Sequence, residues 1–332
     1  MAITTYGDIT PRTAAFVIVA LMERAMPYLC LEKFGQAKTL PGNKTQSMKW
    51  RKYTALPVNI TALTEGITPP SRKLTYSDIT LTLTQHGDLV EITDVIQDTH
   101  EDPVLQDTEQ NVAEQAAKSI ETLRYNVLKA GTSIYYANNV AGRTSVTAVM
   151  SRADQRAIVR GLERQEAKHI TTVVRSTSDF NTENVQPCFV AYCHVDCKSD
   201  IRSLTGFIDA KEYGQMTPWE TEVGACEDAR FVTSTIPSAW ADGGSATGAG
   251  STRISTAGSA CDVYPVLYFA KNAYGIVALK GKFSITPAVL NPDTISKSDP
   301  LGQRGYVSWK TWQGTVILAE EYMYRYEVAA TL

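Results

Sequence analysis

Cys188, Cys193, His194 and Cys197 form the one stretch of the chain where metal-ligand and nucleophile residue types crowd together. Structural zinc sites take four converging ligands from two separate Cys-x2–4-Cys units. Here no second, separate pair follows Cys193 and Cys197. Cys193 and His194 are consecutive on an expected strand, so their side chains project to opposite faces. The same alternation separates a thiol from any histidine base. Small apolar cysteines in a core strand are the favoured reading. All six cysteines, at 30, 188, 193, 197, 226 and 261, are expected to be reduced. The sequons at Asn43 and Asn59 carry no weight without a secretory context. The phosphate-loop, zincin and nucleophile-elbow patterns are absent. The Gly-rich run at 243–250 is followed by no lysine, and the histidines at 86, 100, 169 and 194 are scattered. Carboxylates at Asp98, Glu101 and Asp102 read as a helix N-terminus, where negative charge is favourable. No catalytic, cofactor-binding or metal site is expected.

The chain has 332 residues, 32 Lys+Arg against 35 Asp+Glu, and 43% apolar residues. That length supports a core without disulfide or metal staples. A net charge of −3 argues against a protein built mainly to grip phosphates. The longest apolar run, Ala14 to Met22, has nine residues, too few to cross a bilayer. Its flanks do not read as a secretory signal, so an intracellularly made globular protein is expected.

The elements follow from spacing. Thr10 and Pro11 can start an amphipathic helix over 11–26, ended by Pro27. Gly35, Pro41 and Gly42 then break the chain into an irregular arm. Residues 47–54 alternate as a strand, with Met48 and Trp50 opposite Lys49, Arg51 and Tyr53. A matching strand over 77–84 sets Ile79, Leu81 and Leu83 against Thr80, Thr82 and Thr84. Ten threonines lie between residues 53 and 100, as pleated, half-exposed strands favour. The tip between the two strands carries Pro57, Glu65-Gly66 and Pro69-Pro70. Such a hairpin is marginal alone and must pack on something else. Its basic residues include Lys49, Arg51, Lys52, Arg72 and Lys73, against Glu65 and Asp78.

Asp102, Pro103 and Gly131 bracket a helix over 103–130. Its expected stripe is Leu105, Val112, Ala116, Ile120, Leu123 and Val127. It would be about 40 Å long, a structural spine. A second helix over 151–168 starts at Ser151 with Asp154 three residues on. Its many charges read as a solvated face with i,i+4 pairs. Short strands follow at 188–195, 231–236, 266–270 and 275–279, with a helical turn near 198–205. Residues 241–260 read as a surface insertion or flexible tip. A last strand alternates Tyr322, Tyr324, Tyr326 and Val328 against Glu321, Met323, Arg325 and Glu327.

An arm, a long basic hairpin, a spine helix, a strand-rich domain and a final strand, in that order, resemble the tailed-phage major capsid protein of the Hong Kong 97 type. Three N-terminal blocks resemble one capsid family, that of the podophages packaging a virion RNA polymerase. They are Leu31-Glu32-Lys33-Phe34-Gly35-Gln36, Met48-Lys49-Trp50-Arg51-Lys52-Tyr53, and Leu63-Thr64-Glu65-Gly66-Ile67-Thr68-Pro69. Asp299-Pro300-Leu301-Gly302-Gln303-Arg304-Gly305, with Trp309-Lys310-Thr311-Trp312 and Val316-Ile317-Leu318, resembles the same family's ending. The middle, 170–290, matches weakly.

The resemblance implies an α+β capsid fold with an N-arm (1–46), an E-loop hairpin (47–86) and a peripheral domain with its spine helix (87–187). An axial domain (188–290) with an insertion at 241–260 and a C-terminal strand returning to the peripheral domain (291–332) complete it. It implies a virion protein, made in the host cytoplasm, that assembles with itself into hexamers and pentamers of an icosahedral shell around double-stranded DNA, touched non-specifically. Portal, scaffolding and possible cement proteins are the further partners; no cofactor and no membrane are implied. Lys49, Trp50, Arg51, Lys52, Glu65, Arg72 and Lys73 are the expected subunit-interface residues. The first 46 residues are too short and too broken for a scaffolding coiled coil. A separately encoded scaffolding protein and an uncleaved chain are therefore expected. An encapsulin-like compartment sharing the fold, and a thiol or metal enzyme using 188–197, stay open as alternatives.

Overall fold

The computed structural model describes residues 29–42, 44–99, 104–170, 187–213, 218–248, 251–279, 286–292, 294–295 and 299–332. The expected helix over 11–26 and the expected cap at Asp102 and Pro103 lie outside them. Strands β1 (Gln36–Leu40), β2 (Ser47–Tyr53), β3 (Tyr76–Thr82) and β4 (Thr84–Thr93) precede helices α1 (Asp94–Thr99) and α2 (Val104–Lys129). Then come β5 (Ile134–Tyr136), α3 (Arg152–Arg164), β6 (Phe189–His194), α4 (Lys198–Arg202), β7 (Ile208–Asp209), β8 (Glu222–Cys226) and β9 (Ala229–Ser234). β10 (Val263–Phe269), β11 (Tyr274–Leu279), β12 (Thr286–Leu290), β13 (Arg304–Ile317) and β14 (Met323–Ala329) close the chain.

The strands make three sheets. One runs β5-β14-β10-β6-β9-β8-β7; a second joins β1, β11, β13 and β12, with β4 also on β13; β2 and β3 pair alone. Sheet membership cuts across the expected sequence boundaries. β5 and β14 share a sheet with strands from 188–290, while β11 from that segment belongs to the other sheet.

Helix α2 touches both large sheets, and this corrects its expected stripe. Val112, Ala116 and Ile120 are buried against Ile92, Val307 and Trp309 of the β4–β13 side. Further along, Tyr125 and Leu128 are buried against Val190, Tyr192, Leu267 and Phe269 of the other sheet. The change of partner rotates the buried face, so Leu123 is only half-buried and Val127 is exposed. Glu121 and Arg124 are buried near the crossing. Glu121 Oε1 accepts the amides of Cys30 (3.1 Å) and Leu31 (2.9 Å). Arg124 Nη1 lies 4.0 Å from Glu121 and donates to Glu32 at 3.2 Å. One carboxylate thus ties the chain before β1 to the spine.

Strand β14 also departs from expectation. It lies between β5 and β10, so both its edges are paired, and residues of both its faces are buried, Arg325 and Glu327 among them. Burial of charge is costly unless it is paired. Glu327 receives Arg325 Nε at 2.9 Å and Arg143 Nε at 2.7 Å. Helix α3 starts as expected, with the Ser151 hydroxyl accepting the Asp154 amide at 3.2 Å. Its arginines do not form the expected pairs within the helix: Arg152 and Arg156 converge on Glu227 at 2.5 and 2.9 Å. Glu227 and Asp228 have φ of 45° and 59°, the two left-handed positions of a tight β8–β9 hairpin turn.

The run 241–260 is tied down rather than free. The Asp242 amide donates to Asp262 (2.8 Å), which also accepts the Thr256 hydroxyl (2.7 Å). The Asp242 carboxylate accepts the Ser255 hydroxyl (3.0 Å) and the Ala257 amide (3.1 Å). A Cβ on Gly244 would stand 2.4 Å from Cys261 Sγ, so this glycine serves close packing.

Burial pushes the Glu121 carboxyl up to about 7, against the opposing pull of the Leu31 amide and Arg124. A raised acidic pKa means the folded state holds a proton that the unfolded chain releases. Stability from this group is therefore full below the unfolded value of 4.5 and lost as pH rises through about 7. The unassembled chain should lose about 2–3 kcal/mol from this group between pH 5 and 8. Glu121→Gln keeps the acceptor oxygen and removes the charge, so it should flatten that slope and be the more stable form at pH 8. Urea denaturation of both chains across this range checks it; equal slopes would refute it.

Candidate assembly interface

The hairpin is built as its alternation predicts. β2 and β3 pair antiparallel in unbroken register from Ser47↔Thr82 to Tyr53↔Tyr76. Its apolar face docks on the β11–β13 sheet, where Leu40, Trp50, Leu83 and Val277 form one buried cluster with Leu81 against it. Two glycines make the socket. A Cβ on Gly275 would come within 2.7 Å of the Trp50 ring, and one on Gly314 within 2.8 Å of Leu81. The expected strand 77–84 ends at Thr82, because Leu83 turns into the core and the chain leaves as β4. Strand β4 lies within the Thr-rich stretch expected to be extended, and its polar start, Gln85-His86-Gly87-Asp88, finds its ladder partner in β13.

Beyond Thr54 and Thr75, joined by a backbone bond of 2.9 Å, the chain forms an arm with no strand or helix. Its tip turns at Gly66, whose φ of +76° and the Ile67 amide bond to the Thr64 carbonyl (3.2 Å) mark a tight turn. The arm carries Leu56, Val58, Ile60, Leu63, Ile67 and Leu74, all more than half exposed, with Ile60 at 93%. Contiguous exposed apolar residues of this kind mark interaction surfaces.

The expected interface residues divide into two groups. Trp50 is buried in its own chain, 6% exposed; it anchors the hairpin rather than offering a contact face. Arg51 pairs with Asp78 across the ladder (2.9 Å), Lys52 reaches Glu321 (2.9 Å), and Arg72 donates to the Pro57 carbonyl (2.8 Å). These three cations are engaged within the chain. Lys49, Glu65 and Lys73 are exposed. The exposed apolar arm residues carry their own sequence signal, the alternation Leu56, Val58, Ile60, masked by Pro57 and the turn residues around it.

The cysteine stretch is packed as core. All six cysteines are buried and none is in a disulfide. Burial pushes Cys193 up to about 12 and Cys197 well above its ordinary value, the opposite of an activated thiolate. Cys193 faces the Val232 carbonyl (3.7 Å), while His194 Nδ1 accepts the Asp196 amide (3.2 Å) and stacks near Tyr264. Among the described residues no cluster of metal-ligand side chains occurs.

No protein-family model matches the chain, and no curated protein matches its sequence. Solved structures do. The capsid of Ralstonia phage GP4 superposes with a TM-score of 0.65 at 12% identity, over 90% of this chain and 87% of that one. The chain has the fold of phage capsid proteins. The cyanophage Pam1 capsid aligns at 0.57 and 14% identity over 86% of each chain. The cyanophage P-SCSP1u capsid aligns at 0.56 and 11% identity over 91% and 89%. In this capsid fold the mixed α and β elements agree with the expected class.

Trp50→Ala should undock the hairpin, costing about 3–5 kcal/mol of packing. Hydrogen exchange should then quicken at 47–53 and 76–82 and stay unchanged in β10 and β14. Gly275→Val should act the same way by filling the socket. A thiol reagent should titrate none of the six cysteines in the native chain and all of them after denaturation; one fast thiol would revive thiol chemistry.

Proposed function

We propose that the chain is a major capsid protein, whose copies form the icosahedral head shell around double-stranded phage DNA. The observation that carries this is the arm at 54–75: an apolar surface mounted on a rigid, docked hairpin, in a fold shared with phage capsids along nearly the whole chain. Burying each large apolar side chain contributes about 1.5–3 kcal/mol, and within this chain Val58 and Ile60 gain little of it. A neighbouring copy supplies the missing surface. The role is structural, and the packing of the cysteine stretch supports the absence of an enzymatic one.

In this reading residues 1–46 are the N-arm, 47–86 the E-loop, 87–187 the peripheral domain with the spine helix, 188–290 the axial domain and 291–332 the returning C-terminal segment. The blocks at 31–36, 48–53, 63–69 and 299–305 support kinship with the capsids of podophages that carry a virion RNA polymerase. Hexamers and pentamers of the chain, a separate scaffolding protein, a portal and packaged DNA are the partners, with a cement protein as a further possible one. A charge of −3 per copy keeps repulsion between crowded subunits small, and salt screens it within about 8 Å. The low charge also leaves DNA free to exit, since a strongly basic lining would hold phosphates.

Deleting 55–75 should leave a soluble chain with wild-type secondary structure and abolish shells. Electron microscopy of wild-type and deleted protein, with circular dichroism of both, decides it. Regular shells from the deleted chain would overturn the role of the arm. Nuclease-protected DNA in native particles separates a virus head from a protein compartment.

A further inference from the structure

Strand β4 is a long open edge. It pairs with β13 from Thr84↔Gln313 to Thr93↔Arg304, and no other described strand pairs with it. The Asp94 amide bonds the Gln303 carbonyl at 3.1 Å, which fixes the phase of the antiparallel ladder. Even-numbered residues of β4 face β13, so Gln85, Gly87, Leu89, Glu91 and Thr93 turn their backbone groups outward. Only the Leu89 amide has a local acceptor, Asp88 Oδ1 at 2.9 Å.

Two clefts flank this edge, one on each face of the sheet. The first, about 870 Å³, lies between β4 and α2 and is lined by Asp88, Glu114 and Lys118. The second, about 700 Å³, lies on the opposite face beside Ala288 and Ser308. A strand added to an open edge gains affinity from backbone bonds and specificity from recesses for alternate side chains.

The same chain carries a strand-patterned segment without a sheet. Leu56, Val58 and Ile60 alternate with Pro57, Asn59 and Thr61, and Val58 and Ile60 are 87% and 93% exposed. Pro57 has no amide, so in an added strand it must face away from the ladder. That leaves the backbone of Leu56, Val58 and Ile60 for the edge. It also agrees with the Pro57 carbonyl being bonded to Arg72. Arg72 therefore travels with the segment and brings a cation to a rim that bears Asp88 and Glu91. The segment is held away from its own β4, because the paired hairpin separates Thr54 from Leu83 by about 20 Å at ~3.3 Å per residue.

We propose that the outer edge of β4 receives residues 56–61 of a second copy as an added strand. Leu56, Val58 and Ile60 then lie over one cleft, and Asn59 and Thr61 over the other. This rests on the capsid reading for the presence of a second copy, and it names the surface that the arm grips.

Residue-resolved hydrogen exchange on unassembled chains and on shells tests it. On assembly, the amides of Gln85, Gly87, Glu91, Thr93, Val58 and Ile60 should slow by at least about tenfold, and Val58→Pro should abolish the slowing at β4. Shells with unchanged exchange at these β4 amides would overturn the proposal and leave the capsid reading intact. Slowing at β4 without slowing at Val58 and Ile60 would assign the edge to another segment and overturn it as well. A synthetic peptide of residues 54–64, added to chains lacking 55–75, provides a readout independent of shells. Slowed β4 amides there support the pairing even where shells fail to form and the capsid reading falls; no slowing at saturating peptide refutes it.

Discussion

One helix serving two sheets is the constraint on which the remaining architecture depends. α2 is long enough to lie first on Val307 and Trp309 and then on Leu267 and Phe269. A helix with one straight apolar stripe would serve only one of these surfaces, since each patch faces a different direction about its axis. The helix therefore uses small residues, Ala113, Ala116 and Ala117, on the first sheet and large ones, Tyr125 and Leu128, on the second. Near the crossing it buries Glu121 and Arg124, and there the chain leading into β1 is fastened. A buried carboxylate with a guanidinium and two amides is weak evidence for stability but specific in geometry. It admits one placement of Cys30 and Leu31, and so one starting point for β1 beside β11.

That placement matters for the hairpin. β1 lies parallel to β11 in register from Gln36↔Gly275 to Leu40↔Leu279, and its Leu40 closes the cluster that holds Trp50. The hairpin has no core of its own, so its rigidity is borrowed from Gly275, Gly314 and Val277 beneath it. The Lys52–Glu321 pair adds a tether, worth about 0–1 kcal/mol at an exposed site. Rigid to Tyr53 and Tyr76 and without regular structure beyond them, the unit holds an apolar segment at a fixed distance from the body. Ordering such a segment on a partner costs backbone entropy of about 1–2 kcal/mol per residue. Each contact is then modest, and a closed shell becomes stable through repetition of many of them.

How far the sequence could be read depended on whether a pattern was local. The β2–β3 alternation, the Ser151 cap and the strands rich in buried aliphatic residues follow from neighbours a few positions apart, and the structure contains them. The drift of the α2 face was hidden because it depends on two sheets formed by residues far along the chain. β14 shows the same effect: alternating Tyr and Arg/Glu looks half-exposed until β5 and β10 pair both its edges inside a buried sheet and Arg143 arrives to pair with Glu327. β4 is a further case: the threonines over 53–100 marked the stretch as extended, but its polar start shows no alternation and its partner β13 lies far along the chain. In the arm the basic residues drew attention by their charge, yet Arg51, Lys52 and Arg72 are spent on internal bonds. The apolar residues there form no clean strand pattern, because prolines surround them.

The cysteine and tyrosine chemistry points in the same direction. Tyr268 and Tyr274 are buried, and burial raises both hydroxyls well above the ordinary value. The thiols of Cys30, Cys193, Cys197, Cys226 and Cys261 are raised likewise, and Asp154 is spent on the hydroxyl of Tyr326 (2.9 Å) and the amide of Asn138 (2.9 Å). An active site needs groups poised near neutral pH and open to a substrate. Here many buried polar groups are consumed in fixing strands to helices, and Glu121, raised to about 7, is sealed from solvent. The polar interior sets one geometry for the body, and the unsatisfied surface is concentrated in the arm and along β4. A chain arranged this way presents exposed apolar side chains in the arm and open backbone groups along β4, features that another large surface can use.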